Sequence, residues 1–156
     1  MTSTWSCDLA IAPHGALDRI AARINRRGRR AFGVLKTSNE YVGIVGAEDF
    51  EIWERQKRAI HARGRVAAQH RGTRLEVEFV APLRTRVMIA LFFILYALAS
   101  VGIATQPPDP AVSPAELAVS AAGALALGAL FIAGARSQRA DLRGFLETTF
   151  DDVRRV

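Results

Sequence analysis

The chain has a single cysteine, Cys7, among its 156 residues. That excludes a disulfide framework and any zinc module built on several thiolates. Histidine is nearly as scarce. His14, His61 and His70 are the only three, with no HExxH or CxxC spacing around them and no metal set to be read from them. Gly43 to Gly46 is no phosphate loop, because no Lys-Ser/Thr follows it. Charge is also missing from two whole segments. Residues 87–105 and 117–135 contain no Asp, Glu, Lys, Arg, His, Asn or Gln. Segments without acids or bases offer no proton relay or ion path, and segments without histidine offer no imidazole for a haem or chlorin at that depth.

What fills these two segments is apolar. Ten of the nineteen residues from Val87 to Thr105 are Val, Ile, Leu or Phe. At about 1.5 Å per helical residue the segment nearly matches a hydrocarbon core of about 30 Å. Its favourable insertion term is roughly −5 kcal/mol. Leu117 to Ala135 has seven such residues and is otherwise Ala, Gly and Ser, so it inserts less strongly and needs a helical neighbour. Ser120, Ala124 and Gly128 form a row of small residues at four-residue spacing, with Gly123 beside it. Small residues allow the packing that holds helices together in lipid. This face is expected to pack on the first span or to dock onto a helix of another protein.

The intervening loop, residues 106–116, is proline-rich and carries two acids and no basic residue. Ser113, Pro114 and Glu116 read as an N-cap, a proline at the first helical position and an acid in the first turn. Arg84 and Arg86 precede the first span, and Arg136, Arg139 and Arg143 follow the second. By the positive-inside rule this asymmetry is expected to place both termini of a two-span membrane protein in the cytoplasm, with the loop facing outward. Trp5 to Ala12 is too short, and is interrupted by Asp8, to act as a cleavable signal.

The expected division is therefore a cytoplasmic α+β domain over residues 1–83, a transmembrane hairpin over 84–136, and an amphipathic cytoplasmic tail helix over 137–156. The first part holds 14 basic and 9 acidic residues, most of the formal net charge of +6. Trp5, Cys7, Leu9 and Ile11 alternate with polar or small residues, as in a half-buried strand. Leu17, Ile20, Ala21 and Ile24 follow a helical period, with Gly28 as its expected stop. Strands are expected over Ala31–Lys36, Tyr41–Val45, Phe50–Glu54, Arg58–Ala67 and Arg74–Val80. In the last of these, Leu75, Val77 and Phe79 face one way and Glu76 and Glu78 the other, the mark of an antiparallel sheet with one solvated side. Residues 69–72 close a hairpin between the final two strands. The fold class is a membrane α+β protein: a curved antiparallel sheet with one helix, then the hairpin, then the tail. In the tail, Leu142, Phe145, Leu146, Thr149, Phe150 and Val153 recur at helical spacing, and this apolar side is expected to pack on the sheet domain, with the headgroup layer or a partner protein as the alternatives.

No residue set reads as catalytic. A Cys7/His14 pair lacks any sequence reason to meet, and no convergent nucleophile, base and orienter is visible. The densest charge cluster is Arg26, Arg27, Arg29 and Arg30. With Arg84, Arg86, Arg136 and Arg139 it forms the candidate surface for anionic lipid headgroups. Nucleic acid is not expected as a partner, because no aromatic platform accompanies the cluster.

Tyr41-Val-Gly-Ile-Val-Gly, Asp49-Phe-Glu-Ile-Trp53, Gly64-Arg-Val66, the run Gly72 to Phe79 and the two spans together resemble uncharacterised small bacterial membrane proteins with a β-rich cytoplasmic domain. The resemblance covers about residues 41 to 135 and implies the same architecture; it carries no catalytic residues or cofactor. The expected role is a non-catalytic accessory or scaffold subunit of a larger membrane complex, for example a respiratory or photosynthetic one. Membrane lipids and an integral membrane protein are its expected partners. The alternative is a membrane-apposed module that binds lipid headgroups or a cytoplasmic partner.

Overall fold

The computed structural model describes residues 3–26, 40–70, 72–105 and 113–153, apart from the side chains of Arg26 and Ala104. The chain forms two compact units, Met1–Ala81 with Ser137–Val156, and Pro82–Arg136.

In the first unit, alternation of apolar and polar residues marks β1 (Ser3–Leu9), β4 (Asp49–Glu54), β5 (His61–Gln69) and β6 (Gly72–Val80), while β3 (Tyr41–Val45) is a short run of β-branched and aromatic residues around Gly43. Between β1 and β3 lie helix α1 (Pro13–Arg23) and the two-residue strand β2 (Asn25–Arg26). The sheet order is β1-β6-β5-β4-β3-β2, with every neighbouring pair antiparallel except β2 and β3. The β5–β6 hairpin closes on the Gln69↔Gly72 pair. Gly72 has φ +146°, a conformation that side chains disfavour.

Residues of one parity bury themselves on one face: Trp5, Cys7 and Leu9 from β1, Leu75, Val77 and Phe79 from β6, Ala62 and Val66 from β5, and Phe50 and Ile52 from β4. Ala16, Leu17 and Ile20 of α1 are buried as well, and α1 lies against β3, β5 and β6.

The last helix, α3 (Pro114–Phe150), runs 37 residues without interruption, so the amphipathic tail is a continuation of the second apolar segment. Its post-apolar turns belong to the sheet unit. Leu142, Leu146, Thr149 and Phe150 are buried there, the Tyr41 and Phe145 rings lie 4.2 Å apart, and the Ile60 N–H donates to Gln138 Oε1 at 3.1 Å. Arg19 pairs with Asp152 at 2.6 Å, and the Ala10 N–H donates to the Val153 carbonyl. The tail therefore completes the core, as its apolar spacing implies.

Three local expectations are corrected. α1 stops at Arg23, with Ile24 already extended, so Gly28 does not end it; Ile24 is buried as the chain turns into β2. Next, β5 begins at His61 instead of Arg58. β2 was not foreseen, because two residues carry no alternation. The expected strand over Ala31–Lys36 lies outside the described residues.

The second unit contains helix α2 (Leu83–Ala104) and the first part of α3. Ser113 caps α3 by a reciprocal box: its Oγ accepts the Glu116 N–H at 3.2 Å, and Glu116 Oε2 accepts the Ser113 N–H at 2.8 Å. Both helices are long and apolar enough to cross a membrane.

Candidate functional site

Within the second unit, the half-buried positions of α2 are Thr85, Ile89, Phe93, Tyr96 and Ser100, spaced at helical intervals. On α3 they include Ser120, Gly123, Ala124, Leu127 and Gly128. The small-residue row meets α2 in part. Tyr96 donates its hydroxyl to the Ser120 carbonyl at 3.0 Å, and a Cβ on Gly123 would run into that hydroxyl. Farther along, Phe131 meets the rings of Phe92 and Phe93 at 5.8 and 6.0 Å. The absent side chain at Gly123 thus admits an aromatic side chain from the neighbour. Ala124 is half-buried, and a Cβ on Gly128 would meet nothing within 4 Å. The opposite faces carry Val87, Leu91, Leu95, Leu98, Leu125 and Leu130, all exposed.

Arg84 and Arg86 stand exposed in the first turn of α2, and Arg136 is exposed on α3. The antiparallel pairing of Tyr96 with Ser120 and of Phe93 with Phe131 brings these three to the same end of the hairpin. Arg139 is half-buried and belongs to the sheet unit. The Arg26 side chain, Arg27, Arg29 and Arg30 lie outside the described residues.

The solvated face of the sheet forms an open trough of about 990 Å³. Strand register sets its charges in rows. Thr4, Glu78, Arg63 and Glu51 stand side by side across β1, β6, β5 and β4, and Ser6, Glu76, Arg65 and Asp49 form the next row. Opposite signs alternate across β6, β5 and β4, so the face is compensated pair by pair and is not a basic patch.

At one end of the trough is a cluster that the sequence reading missed. Glu51 Oε1 accepts from His61 Nδ1 at 2.8 Å and from Arg63 Nε at 3.0 Å. The His61 ring stacks on Trp53 with centroids 4.8 Å apart. Burial alone would raise the Glu51 pKa, but the bonds from His61 and Arg63 outweigh it and hold the carboxyl below its usual value. A carboxylate can only accept, so the proton in this contact sits on His61 Nδ1. Each group is already engaged in cross-strand contact, and the arrangement reads as packing of the solvated face. The pairs Trp53↔His61 and Glu51↔Arg63 are adjacent in register. A β4–β5 alignment through the loop at 55–60 was the signal available for finding them.

His14 and His70 are exposed, the first on α1 and the second in the β5–β6 turn, while Cys7 is buried on the core face of β1. Among the described residues no group of three or more His, Cys, Asp and Glu side chains could hold a metal ion.

Comparison of the chain with known protein families, with curated proteins and with solved structures finds no match.

Proposed function

We propose that this chain is a membrane-anchored, non-catalytic accessory or scaffold subunit of a bacterial inner-membrane assembly, with both termini in the cytoplasm. The observation that carries the reading is the outward display of large apolar side chains along both long helices. Among the described residues seventeen large hydrophobic side chains are exposed, and all but Ile44 belong to α2 or α3. Monomeric soluble proteins rarely carry so large a contiguous apolar surface, whereas a bilayer covers it without cost. The five arginines beside the apolar segments, against none in the loop 106–116, orient the hairpin. The sheet domain supplies a rigid cytoplasmic surface whose charges are mutually compensated, which suits protein contact better than headgroup attraction.

Alkaline carbonate extraction and native electrophoresis in mild detergent test this. Retention in the membrane pellet and co-migration with a larger assembly are the expected results. Solitary migration with binding to liposomes that depends on anionic headgroups favours the membrane-apposed module instead. Release by carbonate defeats both.

A further inference from the structure

The two edges of the sheet are unlike. β2 closes one side with only two residues. On the other side β1 is seven residues long, in unbroken register with β6 from Ser3↔Phe79 to Leu9↔Thr73. It has no bulge, no proline and no basic residue. Proteins usually blunt a long edge with one of these devices, because its unpaired N–H and C=O groups are a template for another strand.

The direction of those groups follows from Gly72, where an added Cβ would run into the Leu9 carbonyl oxygen. Leu9 therefore turns its backbone polar groups toward β6. Antiparallel alternation turns Ser3, Trp5 and Cys7 the same way, and turns Thr4, Ser6 and Asp8 outward. Ala10 has the outward phase too, and its N–H meets the Val153 carbonyl at 2.9 Å, which ends the open edge just past Leu9. Among the described residues no strand pairs with β1 on that side.

We propose that β1 is a homodimerisation edge, pairing antiparallel with β1 of a second copy about a two-fold axis at Ser6. The strand is self-complementary in this register. Ser6 is its midpoint, so all seven residues stay paired only when the axis passes there. Ser6 then faces Ser6 of the partner subunit, Thr4 faces Asp8 of the partner subunit, and Trp5 faces Cys7 of the partner subunit. No like charges are opposed. Sliding the axis to Asp8 would oppose two carboxylates, which is unfavourable, and sliding it to Thr4 would leave only three of the seven residues paired. The outward groups of Thr4, Ser6 and Asp8 supply about six backbone hydrogen bonds across the axis. The inference rests on the membrane reading for one step: confinement to one bilayer raises the effective concentration of a second copy, so a short edge suffices. A soluble peptide lacks that advantage.

The test uses the full chain in membrane vesicles, treated with a short thiol-to-thiol cross-linker. Across the axis, cysteines introduced by Ser6→Cys lie about 5 Å apart at Cβ. Those from Asp8→Cys lie about 13 Å apart along the strands. The unmodified chain, whose Cys7 is buried, is the blank. Cross-linked dimer is expected for Ser6→Cys and lost for Asp8→Cys. Ser6→Lys is the second variant: within one copy the new side chain faces Glu76, which favours the fold, while across the axis it meets its own like charge. Read without cross-linker, as the mass of the protein in mild detergent, the unmodified chain is expected to be a dimer and Ser6→Lys a folded monomer. No dimer at position 6, equal linkage at positions 6 and 8, or a dimer that survives Ser6→Lys each overturns the proposal. Carbonate release in the same preparation sinks the membrane reading separately, and the preference for position 6 over 8 is then read on the released chain.

Discussion

The hydroxyl of Tyr96 reaches across the hairpin to the Ser120 carbonyl at 3.0 Å, and it does so through the space that a side chain at Gly123 would fill. One polar contact and one missing Cβ thus set the register of two helices that otherwise meet through rings and small residues. Within lipid such a hydrogen bond contributes about 0.6 to 1.7 kcal/mol. Tyr96→Phe should cost about that much, measured as the helix content lost on titration from mild detergent into dodecyl sulfate. Gly123→Ala should cost more, since the added methyl displaces the tyrosine. In the double variant the displaced hydroxyl is gone, so the loss should be smaller than the sum of the single losses. Strict additivity would mean that Tyr96 does not occupy the Gly123 notch.

The end of α3 belongs to the core of the sheet unit. Leu146 and Phe150 are fully buried, so truncating either leaves a cavity as well as lost transfer energy. Leu146→Ala should destabilise the sheet unit by about 2–5 kcal/mol and Phe150→Ala by about 3–5 kcal/mol. Trp5 and Trp53 are the only tryptophans and both lie in that sheet, so fluorescence during urea unfolding reports on it selectively. An unchanged midpoint for both variants would show that the tail is dispensable.

Much of this architecture is legible in the residues because hydrophobic periodicity is local. The alternation of Leu75, Val77 and Phe79 with Glu76 and Glu78 fixes a strand and its buried face, and the capping pair Ser113 and Glu116 marks a helix start to the residue. The spacing of Leu142, Leu146, Thr149 and Phe150 marks the tail's buried side. What is not legible is set by tertiary partners. The two residues of β2 form a strand only because Val42 and Gly43 lie beside them. α1 ends at Arg23 because Ile24 is drawn into the core, and no terminator is needed. The polar cluster of Glu51, His61 and Arg63 depends on the register across an intervening loop. The openness of β1 depends on sheet order, which no local pattern encodes.

The Glu51 carboxyl is held below its ordinary value of 4.5. A depressed carboxyl binds a proton less readily in the folded chain than in the unfolded one. Its contribution to stability is therefore complete above about pH 4.5 and is lost as the pH falls through the lower folded value. Glu51→Gln should weaken the fold near neutrality, where the ionised carboxyl holds both His61 and Arg63. It should also make the urea midpoint less sensitive to acid between pH 5 and 3. If variant and parent show parallel acid profiles, the contact with His61 and Arg63 contributes nothing to the folded state.

Tyr41 predicts the opposite limb. Burial is the main cause that pushes its phenol above 10.0, and the nearby acids Glu40, Asp141 and Glu54 add to it. Here the folded chain holds its proton more tightly than the unfolded chain. The contribution is complete below pH 10 and is lost as the pH rises toward the higher folded value, because the unfolded phenol ionises first. Tyr41→Phe keeps the ring that packs at 4.2 Å against Phe145 and gives up a long hydroxyl contact of 3.4 Å to the Asp141 carbonyl. Its cost near neutrality should be small, within about 1 kcal/mol, while its midpoint should fall less steeply than the parent's above pH 10. A phenolate absorbance that titrates in the folded parent at the same pH as in urea would remove the basis for this expectation. In the Tyr96→Phe background Tyr41 is the one remaining tyrosine, so the absorbance reports on it alone.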